Sequence, residues 1–483
     1  MEDILNTLNK EQQEAVINTD GPSIILAGAG SGKTRVLVHK VLYLILEKKI
    51  HPQNILMVTF SNKAAGEMKE RIKKVLPQKI SSSEEPTVAT FHSLCARILR
   101  RSGVTIGIPH NFVIYDTTDQ LDTIKDCMEK LEISIKDIRP KAALNLISGA
   151  KNQMITDTQY EKFAKGYTQE KVAKIYPLYQ KLMSERNALD FDDLLNKTIE
   201  LFKNSKDTLE YYQDRFKYVL VDEYQDTNIS QYRLTKYLSG KHNNICIVGD
   251  FSQSIYSFRG ADYRNLEKFR TDFPKAKVFK LSQNYRSTQI ILNAAYSIIS
   301  NNNSHPVLEL WTDNKEGDEI NVYEAENEHK EAEYIVRMIN DKKKYNPGFS
   351  LSDVAILYRM NAQSRTIEEV LLHYGIPYKL VGGVRFYDRK EVKDVLSYLA
   401  YLSNPSDAAA LKRIQKLGKR RFEGFELYRQ EFNESNYVEI KETLEILDEV
   451  IKRSSYLDRF DQEDPEDRAR LENIKELRSV ALE

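Results

Sequence analysis

The chain has 483 residues, too many for one hydrophobic core, so roughly two to four domains are expected. Lys and Arg number 71 against 71 Asp and Glu, which excludes coating of nucleic acid by bulk charge but leaves room for a local basic, aromatic groove. Three scattered cysteines (Cys95, Cys127, Cys246) lack metal-ligand spacing, and no apolar run reaches the length of a membrane span, so a cytoplasmic chain with no membrane partner is expected.

The first periodic stretch, Leu8 to Val16, predicts a short amphipathic helix. It lies just upstream of Ser23–Arg35, SIILAGAGSGKTR, where a buried-type strand runs into a glycine-rich turn and a helix start. That order suits a phosphate-binding loop. Ala27, Gly28, Ala29, Gly30, Ser31 and Gly32 are small enough for backbone N–H groups to close around phosphate oxygens, Lys33 adds a point charge, and Thr34 offers a hydroxyl to Mg2+. Ala27 stands where the G-x-x-x-x-G-K-[ST] pattern has its first glycine. Gln12, next to this loop, has a carboxamide able to read an adenine edge.

A second strand is predicted over 54–60 and a third over 87–91, each followed by a helical pattern. Strand–helix alternation argues for a parallel α/β sheet with ligands at the strand C-termini, where Phe60, Asn62 and His92 fall. From about Asp116 to Lys197 the period becomes helical and strand signals vanish, so a helical insertion is expected. Its end, Asn187–Leu195, has three aspartates around Phe191, read as helix capping by Asp190 with solvated carboxylates rather than as a metal cluster.

The sheet resumes at 218–221 and ends in Asp222-Glu223, a pair in which the aspartate can hold Mg2+ and the glutamate can orient and deprotonate an attacking water. A further strand over 244–248 leads to Gln253, placed to sense a terminal phosphate, and to Tyr256, Phe258 and Arg259, which offer stacking faces and a cation to single strands. After a strand over 278–281 comes Asn284-Tyr285-Arg286, whose arginine can bring a second positive charge to a γ-phosphate.

Taken together, LNKEQQEAV, AGAGSGKT, TFSNKAAGEMKERI, TFHSLCARILR, NALDFDDLL, VDEYQDTN, VGDFSQSIYSFRGA, NYRST, AILYRMNAQSRTIEE and IPYKLVGGVRFYDRKEVKDVL resemble the ordered motifs of UvrD/PcrA/Rep-type superfamily 1 ATP-dependent DNA helicases. The resemblance runs from Leu8 to at least Pro405. It implies ATP- and Mg2+-dependent 3′→5′ movement on single-stranded DNA, unwinding of single-strand/duplex junctions, and a role in DNA repair or replication. Carried onto this chain, it implies that Gln12, Tyr285 and Arg35 hold adenine and that Lys33 and Thr34 serve phosphate and Mg2+. It makes Asp222 a metal ligand and Glu223 the general base, and it brings Gln253 and Arg286 to the γ-phosphate. Phe60, Asn62, His92, Phe191, Tyr256, Phe258, Arg259 and Asn361 would line the DNA track. The chain departs from many relatives in having Phe251-Ser252 before Gln253 and phenylalanine rather than tryptophan at 258.

The implied fold is a RecA-like P-loop NTPase lobe with a helical insertion, then a partial second RecA-like lobe and the start of another helical insertion. The expected boundaries are 1–104 and 201–284 for lobe 1A, 105–200 for 1B, 285–385 for 2A and 386–483 for 2B. In the second lobe, strands are predicted over 319–323, 353–358 and 377–381, with helices between them. Two further family motifs are not found between Thr288 and Glu483, so a C-terminally incomplete member with impaired hydrolysis is expected. The alternative is an ATP-dependent single-strand-binding module without turnover.

Overall fold

Successive residues of a strand point to opposite sides of a sheet, and here both sides are apolar. Ile24, Leu26, Leu56, Val58, Val219 and Val221 face one core; Ile25, Ala27, Ile55, Met57, Leu220 and Val248 face another. Such strands must be covered by helices on both faces, which is the condition for a parallel sheet. The computed structural model shows one. It describes residues 2–76, 85–257, 260–262, 264–303, 305–381, 386–403, 405, 407–434 and 442–482.

The strands are β1 (Ser23–Ala27), β2 (Ile55–Thr59), β3 (Thr87–Thr90), β4 (Val113–Ile114), β5 (Ala188–Leu189), β6 (Tyr218–Val221), β7 (Ile245–Gly249) and β8 (Lys277–Leu281). Six form one sheet in the order β3-β2-β6-β7-β1-β8, with every pairing parallel. Ile24 is opposite both Ile247 and Val278, so β1 lies inside the sheet. All six strands therefore end on the same side, and the loops that leave them are gathered there.

The insertion has its own core, from Ile124 to Ala188, built on helices Thr117–Lys130, Pro140–Asn152 and Tyr167–Glu185. Sequence periodicity showed no strand in this stretch, yet β4 and β5 pair where the chain enters and leaves it. Helix Phe191–Asn204 buries Leu194, Leu195, Ile199 and Phe202 against the sheet's own core, so the insertion's packing ends near Ala188 rather than at 200.

The chain divides into two units, Met1–Ile320 and Asn321–Glu483. Residues 285–320 thus pack with the first unit, whereas the sequence places them in the second lobe. In the second unit, helices Glu328–Tyr345 and Ser364–His373 share a small core of Ala332, Val336, Ile339, Val370 and Leu371. Gly375, at φ 66, follows the end of the latter helix in a left-handed conformation. Helices Lys390–Ser403, Lys419–Glu434, Thr443–Arg453 and Pro465–Leu482 form a separate helical core. The three strands expected at 319–323, 353–358 and 377–381 are not formed among the described residues. Their pattern suits a strand, but a strand exists only through ladder partners, and these segments have none among the described residues. No described helix is long and apolar enough to cross a membrane.

Candidate functional site

The phosphate loop is held open by hydrogen bonds from below and from the side. Gly32 adopts φ 87 at the cap of helix Lys33–Leu46 and has no side-chain cap, so the first N–H groups of that helix keep their donors for a ligand. Ser31 is fully buried and donates its Oγ–H to Gly28 O at 2.8 Å. Asn284, just after β8, donates to Ala29 O at 2.6 Å and accepts the Arg286 and Ser287 backbone N–H groups at 2.8 and 2.7 Å. Tyr285 N–H donates to Gly30 O at 3.0 Å. The exposed Arg286 therefore starts directly beside Gly30.

Gln12 is only 1% exposed: its Nε2 donates to Ser31 O at 2.9 Å and its Oε1 accepts Asn9 N–H at 3.2 Å. These bonds brace the loop and use one of the carboxamide's two N–H donors and one of its two acceptor lone pairs. Tyr285 is half exposed, and its hydroxyl donates to Gln283 Oε1 at 2.9 Å and accepts from Asn9 Nδ2 at 2.8 Å. Arg35 lies close enough to lower the Tyr285 pKa, although burial raises it overall, and Arg35 donates to Thr7 O at 2.6 Å.

At the end of β6, Asp222 is 4% exposed and its Oδ1 has no hydrogen-bond partner. Burial and the neighbouring Glu223 push its pKa up to about 7, against the pull of Lys33. Asp226 Oδ1 is likewise buried without a partner. Orphaned carboxylate oxygens facing a lysine and a phosphate loop suit a divalent cation. Among the described residues no cluster of three or more His, Cys, Asp or Glu forms a metal cage. Thr34, in the first turn of the loop's helix, is the other protein candidate. Glu223 sits at φ 48, a strained setting for a side chain of this kind, and Gln225 Nε2 donates to its Oε2 at 2.8 Å. Gln253 is exposed and donates to Asp250 Oδ2 at 2.7 Å.

The neighbouring strand ends form a cleft of about 1120 Å³ with Phe60, His92 and Tyr256 in its walls. The Phe60 and Tyr256 rings stack at 5.5 Å with 21° between their planes. Burial lowers the His92 pKa, and its ring meets the exposed Phe191 edge-on at 5.7 Å. Asn62 is exposed at the start of helix Asn62–Val75. Asn361, also exposed, belongs to the second unit, where Arg389 donates to its carbonyl at 2.5 Å. Phe258 and Arg259 lie outside the described residues.

The aspartates flanking Phe191 cap a helix, as expected: Asp190 accepts Asp193 N–H at 2.8 Å and Asp193 accepts in return. They are not solvated, however. Asp190 and Asp193 are buried, and Lys151 of the insertion reaches them at 2.6 and 2.8 Å.

The UvrD/REP helicase N-terminal domain model matches residues 8–274, and the UvrD-like helicase C-terminal domain model matches 279–462. The chain belongs to the UvrD/REP helicase family. It is 44% identical, over 99% of its length and 70% of theirs, to proteins named ATP-dependent DNA helicase PcrA from Staphylococcus aureus and Staphylococcus epidermidis. The C-terminal domain match shows that residues 279–462 carry UvrD-like C-terminal domain sequence, although two short family motifs are not found between Thr288 and Glu483.

Sequence reading of this helicase-family site gave no role to the residues that position others: Gln225, Asn284, Gln283 and Asn9. Their only local signal was a polar side chain inside or beside a motif.

Proposed function

We propose that this helicase-family chain hydrolyses ATP with Mg2+ to move 3′→5′ along single-stranded DNA and to open single-strand/duplex junctions, in DNA repair or replication. The observation that carries the reading is that one edge of one sheet bears both the phosphate loop with the partnerless Asp222 oxygen and the Phe60–Tyr256 cleft. The relatives' printed name, ATP-dependent DNA helicase, supports the same activity.

In this mechanism the N–H groups of Gly30 and Gly32 to Thr34 and the Lys33 ammonium bind the phosphates, and Tyr285 stacks on the base. Asp222 and Thr34 would hold Mg2+, which would supply positive charge to neutralise the phosphates. Glu223 accepts the proton of a water attacking the γ-phosphorus as the bond to the ADP oxygen breaks. Gln225 fixes the Glu223 carboxylate, while Gln253 and Arg286 contact the γ-phosphate. Asn62, His92, Phe191, Phe258 and Arg259 serve DNA on the first unit, and Asn361 is a DNA contact of the second unit. In domain terms, the parallel sheet is lobe 1A and the 113–189 insertion is 1B; the second unit carries 2A and the helical 2B.

The test is ATP hydrolysis with and without single-stranded DNA, alongside strand displacement from duplexes with a 3′ or a 5′ tail. Stimulated hydrolysis lost in Lys33→Ala and Glu223→Gln, with unwinding of the 3′-tailed duplex only, is expected. Hydrolysis indifferent to DNA, or preference for the 5′ tail, overturns the reading.

A further inference from the structure

Asn152 closes the last turn of the insertion helix Pro140–Asn152 and meets two separate loops of the sheet edge, at Asn228 and at Gly260. Its Oδ1 accepts from Asn228 Nδ2 at 2.7 Å. Asn228 is the N-cap of helix Ile229–Ser239 and lies two residues after Asp226, on the loop that begins with Asp222 and Glu223. At its other end, Asn152 Nδ2 donates to Ser148 O at 3.0 Å and approaches Ser148 Oγ at 3.4 Å. Ser148 Oγ in turn donates to Asp192 Oδ2 at 2.6 Å, next to Phe191. The third contact is Gly260, at φ 84: a Cβ there would lie 3.4 Å from Asn152 Cβ. Ala261 N–H donates to Tyr256 O at 3.3 Å, so this loop carries one of the stacked rings.

An amide has a distinct donor end and acceptor end. Asn152 gives its acceptor end to the nucleotide-side loop and its donor end to the side leading to Phe191. A displacement of Asn228 therefore cannot be absorbed without disturbing Ser148 or the Gly260 loop, because the contacts are short and the helix is anchored in the insertion's core through Ile147 and Ala150.

We infer that Asn152 is a positioning residue that couples the Asp222–Asn228 loop at the nucleotide site to the Phe191 and Tyr256 loops at the DNA cleft. The inference rests on the functional reading above. Coupling between two sites is reciprocal and is measured as a ratio of affinities.

The experiment measures the Kd of a fluorescent oligo-dT for the full chain, with and without a saturating non-hydrolysable ATP analogue and Mg2+. In wild type the two Kd values differ. Asn152→Ala brings their ratio toward one by about fivefold or more, the lower range of allosteric coupling. Ser148→Ala removes one oxygen of the same chain and moves the ratio in the same direction; it also serves if Asn152→Ala does not fold. The double variant adds little to the larger single effect, since the two residues act through one link. A general loss of stability would weaken both Kd values and leave their ratio standing. A wild-type ratio that differs from one and persists in both variants overturns this inference alone. Absence of DNA binding, or a wild-type ratio of one, overturns the functional reading and the inference with it.

Discussion

Gln225 donates its Nε2–H to Glu223 Oε2 at 2.8 Å, and its Oε1 accepts the Asp250 backbone N–H at 3.1 Å. One carboxamide thus ties the loop after β6 to the loop after β7. Gly249 makes room for it, since a Cβ there would sit 2.6 Å from Gln225 Oε1. Glu223 already holds a left-handed backbone, so its carboxylate direction depends on this contact. Gln225→Ala should lower kcat of DNA-stimulated ATP hydrolysis about a hundredfold, the usual cost of a misplaced catalytic group, with little change in KM for ATP. A raised KM at unchanged kcat would assign Gln225 to binding instead.

Gly30 is placed where no other residue fits. Its φ is 68, and a Cβ would approach Asn284 Nδ2 to 2.7 Å and Arg286 Cβ to 2.8 Å. Gly30→Ala adds left-handed strain of about 1–2 kcal/mol. It also displaces the Asn284–Ala29 bond, worth about 1 kcal/mol. Together these should weaken binding of a fluorescent ATP analogue roughly 30- to 150-fold. Gly66→Ala, in helix Asn62–Val75 with open space around it, is the control: nucleotide affinity stays and stability rises by about 0.5–1 kcal/mol.

These two sites show what was readable in advance. The loop from Gly28 to Thr34 was legible because a strand buried on both faces, small residues and a helix start follow one another within a few positions. Asn284 was noticed only as a neighbour of Arg286, because its partner Ala29 is 255 residues away and is a backbone carbonyl, which leaves no pattern. The loop contact of Gln12 was hidden for the same reason: a carboxamide near the loop can serve a base or a backbone, and sequence does not show its 2.9 Å bond to Ser31 O. The strands expected at 353–358 and 377–381 failed in another way. Their β-branched and aromatic residues suit a pleated surface, but local preference supplies no partner strand.

Phe60 and Tyr256 stack across the mouth of the cleft with ring centroids 5.5 Å apart. Two aligned rings from different strand ends form a platform on which a base can add without sequence preference. Phe60→Ala should weaken single-stranded DNA binding by about 1–3 kcal/mol, or roughly five- to 150-fold in Kd, for any base composition. Fluorescence anisotropy with oligo-dT and oligo-dA measures it. Phe60→Trp should retain affinity. Equal binding by the alanine variant would mean that the pair is a packing contact only.

Lys151 is the one insertion residue whose charge is matched inside the molecule by both capping aspartates, and nothing in its local sequence announces it. Burial opposes its ammonium, yet Asp190 and Asp193 together raise its pKa above the ordinary 10.5. Burial likewise opposes the Asp190 carboxylate, and Lys151 lowers its pKa below 3.8 nonetheless. The lysine's contribution is therefore complete below about pH 10.5 and is lost only as pH rises through its higher folded value. That of Asp190 is complete above its ordinary range and lost as pH falls through its lower folded value, so both are level near neutrality. Lys151→Met strands two buried carboxylates and should cost about 3–5 kcal/mol, seen as a large drop in Tm. With the lysine gone, burial and mutual repulsion raise the aspartate pKa values, so the folded state binds more protons than the unfolded one. The Tm deficit against wild type should then be larger at pH 8 than at pH 5. Adding Asp190→Asn and Asp193→Asn should recover much of the loss and remove the pH dependence, because an asparagine still caps the helix and carries no charge. A deficit that is the same at both pH values would mean that lost packing, not stranded charge, sets the cost.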